Sequence, residues 1–180
     1  MATKIGIAGC LGKMGRELVK AVYLNKHAEF TGGFEHLSNL NIGKSIGDIL
    51  NLKINYILTD DKYKTFQNSD VIIDFTTPES TNENLLAATQ YNKPLVIGTT
   101  GLSREIEDLI IKSSKKIPII QSANMSVGVN ILFKLIENVS MILKAEEYDA
   151  EIYEIHHKHK IDSPSGTALA LGHIIANTRN

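Results

Sequence analysis

Lys4-Ile5-Gly6-Ile7-Ala8-Gly9-Cys10-Leu11-Gly12-Lys13-Met14-Gly15 is the stretch that decides the fold. Lys4–Gly9 is a short apolar run ending in glycine, the pattern of a buried parallel strand. A helical pattern through Leu18, Val19, Val22 and Tyr23 follows the glycines. Strand, glycine turn and helix in that order make the phosphate-binding unit of a dinucleotide fold. Glycines let the backbone turn tightly and approach a pyrophosphate, and the helix start presents N–H groups to its charge. Against G-x-G-x-x-G, Gly12 and Gly15 take the second and third places, while Cys10 stands in the first and Gly9 precedes it. By itself such a turn also suits a purely structural role.

The next element strengthens the nucleotide reading. Ala28–Phe34 reads as a second strand ending at Glu35, twenty residues beyond Gly15. A carboxylate at that distance accepts hydrogen bonds from the adenosine ribose hydroxyls. His36 stands where an arginine would favour a 2′-phosphate, and Lys13 and Arg16 lie near the turn. The balance leans slightly to NADH over NADPH, with some dual use expected.

Further along, His36–Gly47 reads as a loop, Asn55–Leu58 as a short strand and Asp60–Phe66 as a turn or two of helix. Val71–Pro78 reads as a buried strand running into a Thr-Pro turn, Leu95–Gly101 as another ending in small hydroxyl and glycine residues, and Ile117–Gln121 as a third, alternating with helices Glu79–Tyr91, opened by Pro78, and Ser103–Lys115. This alternation predicts an α/β fold: a Rossmann-type, doubly wound parallel sheet with its ligand at the C-terminal strand ends. Gly9, Glu35, Phe75, Thr76, Gly98–Thr100 and Ser122–Met125 all fall at such ends.

Ser126 is placed to cap a long helix, Val127–Lys144. Its Ile131, Leu132, Leu135, Ile136, Val139, Ile142 and Leu143 recur at helical spacing and are read as core. A strand at Asp149–Ile155 then delivers EIHHKHKIDSPSGTA, Glu154–Ala168, ahead of a helix Ser165–Ala176. Three histidines (His156, His157, His159) and two lysines (Lys158, Lys160) precede a helix start, which suits an acidic small molecule that must be bound and protonated. A solvated basic loop is the plainer alternative. The histidines lack metal-ligand spacing, and Ser165 lacks a nucleophile elbow, so no metal and no serine nucleophile are expected.

The 180 residues, 43% hydrophobic and 22% charged, fit one large or two small globular domains. A net charge of −1 argues against a general nucleic-acid or membrane-surface binder. The lone Cys10 fits a reducing compartment, and neither a secretory leader nor a membrane span is apparent, so a cytoplasmic location is expected.

GCLGKMGRE, VIIDFTTPES, LVIGTTGL, SANMSVGVN and EIHHKHKIDSPSGTALALG together resemble the 4-hydroxy-tetrahydrodipicolinate (dihydrodipicolinate) reductase family of bacterial lysine and diaminopimelate biosynthesis. The resemblance implies a Rossmann domain over 1–125, a substrate and tetramerisation domain beginning at 126–180, and a homotetramer. It implies reduction of a cyclic dicarboxylate by NADH or NADPH. His156 matches the family's catalytic proton donor or acceptor and Lys160 its second proton donor; His157, Gly166 and Thr167 match substrate contacts. Gly9, Cys10, Leu11, Gly12, Lys13, Met14, Glu35, His36, Gly98, Thr99, Thr100, Ser122, Ala123, Asn124 and Met125 match cofactor positions.

Family members continue through further strands beyond Gly172, whereas this sequence stops at Asn180. The expectation is a fragment or shortened paralogue, with an exposed sheet edge that destabilises it. Two rivals to the reductase stand beside it. One is a nucleotide-binding remnant without activity. The other is a small Rossmann reductase for a different amino-acid-derived imine or semialdehyde, against which HHKHKIDSPSGTA argues.

Overall fold

The computed structural model describes residues 1–158, 160 and 163–179. They divide into two compact units, Met1–Gln121 and Ser122–Asn180. The first unit carries strands β1 (Thr3–Ala8), β2 (Ala28–Phe34), β3 (Val71–Asp74), β4 (Leu95–Ile97) and β5 (Ile119–Gln121). They form one sheet in the order β2-β1-β3-β4-β5, parallel throughout. Five helices accompany them: α1 (Lys13–Leu24), α2 (Ile46–Leu50), α3 (Lys62–Asn68), α4 (Pro78–Gln90) and α5 (Arg104–Ser114). The second unit holds α6 (Val127–Ile142) and α7 (Gly166–Arg179).

Side chains alternate across a strand, so one β1 run feeds two cores. Ile7 joins Val19, Val22, Phe30 and Ile46 in a cluster that α1 and α2 cover. Its neighbour Ala8 joins Phe34, Phe66, Ile72, Leu85 and Ile97, to which α3, α4 and α5 contribute. The helix starts follow local chemistry. The Thr77 hydroxyl accepts the Ser80 N–H, and Pro78 occupies the first turn, where its missing N–H costs nothing. Asp61 likewise accepts the Tyr63 N–H to open α3.

The glycine turn between β1 and α1 is a packing constraint. Gly9 has φ +62°, a left-handed conformation that suits glycine. A Cβ on Gly15 would stand 2.0 Å from the Gly9 carbonyl oxygen and 2.7 Å from Cys10 Cα. Gly15 therefore lets α1 lie directly against the turn. Cys10, in the motif's first glycine place, is fully buried against Gly33.

Three expectations need correction. Asp149–Ile155 forms no strand, since no strand pairs with it among the described residues and an isolated strand leaves its ladder unmade. What the second unit exposes is a helix face and not a sheet edge. Of the α6 residues read as core, Ile131, Leu132, Leu135, Val139 and Ile142 are exposed; α7 packs on one side of α6 and Ser140 alone is buried in that helix. Asn55–Leu58 supplies one isolated antiparallel bridge, Ile57 to Ser45, in place of a strand. Ser126 does stand at the α6 N-cap, although its hydroxyl makes no capping bond. Helix α2 had no counterpart in the sequence reading.

Gly15→Ala is expected to lower the urea midpoint by the equivalent of about 1–3 kcal/mol, the usual cost of forcing atoms into a packed contact. An unchanged midpoint would show that the turn relaxes freely.

Candidate active site

The strand order turns back between β1 and β3, and in parallel sheets the crevice at that point takes the ligand. A cleft of about 420 Å³ opens there, lined by Gly9, Gly12, Glu35, His36, Phe75 and Thr76 among others. Glu35 follows β2 and is half-buried; its Oε1 accepts the Leu11 N–H at 2.7 Å. The expected ribose ligand thus also fixes the glycine turn. Arg16 Nε donates to the Leu11 carbonyl at 2.7 Å from the other side. Helix α1 begins with Gly12 at its N-cap, so no side chain caps it, and no acid lies in its first turn. Gly12, Lys13 and Met14 are exposed. Uncapped N–H groups beside a lysine suit an anionic diphosphate, so these residues fit a dinucleotide. Burial, with the Glu35 carboxylate second, pushes the Cys10 thiol up to about 12; Cys10 is a packing group.

One wall of the cleft rests on a carboxylate that the sequence reading missed. Asp74 is fully buried at the end of β3. Its Oδ1 accepts the Thr76 N–H at 3.0 Å and the Thr76 hydroxyl at 2.6 Å, and its Oδ2 accepts the Asn84 side-chain amide at 3.0 Å. The Thr99 hydroxyl accepts from the Thr76 N–H at 3.0 Å and from the Thr81 hydroxyl at 2.8 Å, and Gly98 N–H donates to the Asp74 carbonyl at 2.8 Å. Thr76, Gly98 and Thr99 are thereby brought to one strand-end platform, with Thr100 exposed beside it. The signal was present in the sequence: an acid closing the apolar run VIID.

In the second unit, Asn124 Nδ2 reaches Thr167 Oγ1 at 3.3 Å, so the loop Ser122–Met125 meets the start of α7. Ala123 and Met125 are exposed in that loop, and Ser122 Oγ donates to the Asn124 carbonyl. Glu154 organises the basic segment. Its Oε1 accepts the Ser165 N–H at 2.8 Å, and its Oε2 accepts the Ser165 hydroxyl and pairs with His156 Nε2 at 2.7 Å. Ser165 in turn accepts the Ala168 N–H at 3.0 Å, which makes it the cap of α7. Gly166 and Thr167 follow as the first residues of that helix. His157 is exposed and Lys160 half-buried, its N–H donating to the His157 carbonyl. His159, counted in the basic cluster, lies outside the described residues. Among the described residues no group of three metal-ligating side chains forms, and no helix is long and apolar enough to cross a membrane.

Comparison with known proteins agrees with this arrangement. The family model "Dihydrodipicolinate reductase, N-terminus" matches residues 3–125, and "Dihydrodipicolinate reductase, C-terminus" matches residues 128–180. The chain belongs to the dihydrodipicolinate reductase family. The 4-hydroxy-tetrahydrodipicolinate reductase of Wolbachia pipientis subsp. Culex pipiens (strain wPip) is 44% identical, over 98% of this chain and 67% of that protein. A solved dipicolinate-bound dihydrodipicolinate reductase from Paenisporosarcina sp. TG-14 is similar at TM-score 0.74 and 29% identity, over 99% of this chain and 67% of that one. The myo-inositol 2-dehydrogenase of Lactobacillus plantarum shares the fold alone, at TM-score 0.58 and 15% identity over 78% of this chain and 42% of that one. The chain thus spans about two thirds of its reductase relatives. Dihydrodipicolinate reductases are oxidoreductases that use a pyridine nucleotide, and their name places them in lysine biosynthesis.

Among the described residues of the second unit, the Glu154 carboxyl is the titrating group most displaced. The hydrogen bond from His156, then those from Ser165, hold it down at about 2, against an ordinary 4.5. A depressed acid stabilises the fold above its ordinary value and loses that contribution as protons return. The tie to α7 is therefore expected to be intact above pH 4.5 and to fail as pH falls towards 2. Carboxyl-carbon NMR titration checks this; a Glu154 midpoint near 4.5 would contradict it.

Proposed function

We propose that this chain reduces 4-hydroxy-tetrahydrodipicolinate, with residues 1–125 as its dinucleotide domain and 126–180 as the beginning of its substrate and tetramerisation domain. The observation that carries the reading is the family match through both units, joined to the Glu154 carboxylate that links His156 to Ser165 at the cap of α7, the helix that Gly166 and Thr167 begin. Gly9, Cys10, Leu11, Gly12, Lys13 and Met14 take the diphosphate in this reading, and Glu35 with His36 takes the adenosine ribose. Gly98, Thr99 and Thr100 in the first unit, and Ser122, Ala123, Asn124 and Met125 in the second, are the remaining cofactor positions of this reading. When bound, a reduced nicotinamide supplies the reducing equivalents, with NADH slightly preferred over NADPH and some dual use.

The substrate is a small dicarboxylate. Gly166 and Thr167 offer first-turn N–H groups to one carboxylate, and His157 stands with the other. Reduction of a conjugated imine leaves negative charge that a positioned acid must quench. Lys160 and His156 are those acids, and Glu154 orients the imidazole through Nε2. A homotetramer in the cytoplasm completes the reading. The exposed apolar Ile131, Leu135 and Val139 of α6 support the assembly, and a lone buried thiol supports the location.

Titration calorimetry of the chain with NADH and NADPH, then with pyridine-2,6-dicarboxylate, tests the reading. Binding of both cofactor and dicarboxylate is expected. Cofactor binding alone would remove the substrate half and leave a nucleotide-binding remnant. Lys160→Ala is expected to cut turnover by about 10²–10⁴, the usual worth of a general acid, with the NADH dissociation constant unchanged. Weakened NADH binding at normal turnover would take Lys160 out of the chemistry.

A further inference from the structure

Lys62 opens α3 and reaches across to α4, where its Nζ lies 2.6 Å from Glu83 Oε2. Both residues line the cleft that also holds Gly9, Gly12, Glu35 and His36. The lysine side chain is 19% exposed and the glutamate 68% exposed, so the ammonium lies in the cleft wall and its partner at the rim. Three carboxylates line this cleft, Glu35, Asp60 and Glu83, against one lysine and His36. The His36 ring is tied to Ser38, with Nδ1 2.8 Å from Oγ. Hydrogen bonding from Lys62, followed by its charge, holds the Glu83 carboxyl below its ordinary value, with a smaller contribution from His36. The pair and the imidazole thus feel one another electrostatically beside the ribose carboxylate Glu35.

The two forms of the dinucleotide differ only at the adenosine 2′ position. A hydroxyl there needs one acceptor, which Glu35 supplies. A phosphomonoester brings a charge near −2 and requires cations that are not already neutralised. Here the lysine of the cleft is neutralised by Glu83, and Glu35 and Asp60 repel a dianion.

We propose that the Lys62–Glu83 pair sets the cofactor choice, Glu83 holding Lys62 away from the ribose 2′ position and so keeping the cleft on the unphosphorylated dinucleotide. The proposal rests on the reading of this cleft as the nucleotide site. It makes Glu83 a specificity-determining residue that acts through Lys62. With the Glu83 charge gone, the Lys62 ammonium becomes available to a 2′-phosphate.

The test measures dissociation constants of NADH and NADPH for the whole chain and four variants. Glu83→Gln is expected to shift the NADPH-to-NADH affinity ratio about tenfold towards NADPH, the worth of one newly available ion pair. Adding Lys62→Met to Glu83→Gln is expected to abolish that gain, and Lys62→Met alone to move the ratio the other way. An unchanged ratio in Glu83→Gln would overturn the proposal. So would a gain that survives Lys62→Met, because removal of a carboxylate would then suffice. Glu35→Ala separates the two levels of the argument. If it binds NADH as the parent does, the nucleotide reading of the cleft fails and the inference with it. If Glu35→Ala loses NADH while Glu83→Gln leaves the ratio alone, only the inference fails.

Discussion

The cleft at the strand ends depends on one buried carboxylate. Asp74 is removed from water at the end of β3, and a polar group buried there is tolerable only when its oxygens are taken up by donors. Thr76 supplies two donors, Asn84 a third, and the Thr99 hydroxyl a longer fourth at 3.5 Å. Each bond fixes something different: the Thr76 pair turns the chain out of β3, and Asn84 holds α4 over the strand end. Thr99, bonded to both Thr76 and Thr81, carries the constraint on to β4. Strand-end residues that a nucleotide would face are therefore held by a network whose members lie beneath them.

The second unit uses the same device with a less buried acid. Glu154 joins residues eleven apart in sequence, its own segment and Ser165 at the head of α7, and takes His156 as a third partner. A carboxylate near a helix N-terminus is stabilised by the partial positive charge there. Since Glu154 occupies Ser165, the following Gly166 and Thr167 remain as the helix start. The acid thereby separates the cap of the helix from the residues assigned to the substrate.

Local rules made much of the first unit legible. β2 is Ala28–Phe34 in both reading and structure, and α4 and α5 differ from expectation by one residue at each end and α3 by two, because Pro78 and the apolar strand runs each specify their own neighbourhood; only the short α2 went unread. Glu35 stood out as a candidate from its distance to Gly15, and it does line the cleft at the strand ends. Its bond to the Leu11 N–H was not legible, since sequence spacing says nothing of what a carboxylate's second oxygen does. Lys62 and Glu83 carried no signal at all: they are twenty-one residues apart and meet only because α3 and α4 pack on one side of the sheet.

In the second unit the sequence period correctly placed α6 and α7 but misjudged burial. An apolar stripe records that a face is made to be covered; whether it is covered depends on a surface from elsewhere, and here α7 reaches only part of it. The same reason removed the strand at 149–155, because strand formation needs a partner's N–H and C=O groups, whereas a helix satisfies its own. By itself, then, the sequence determined the elements that close their hydrogen bonds locally, the parallel sheet built from alternating apolar runs, and the family. Only the tertiary structure decided which polar side chains meet across those elements, because pairs such as Asp74–Asn84, Glu154–Ser165 and Lys62–Glu83 are made by packing and not by spacing along the chain.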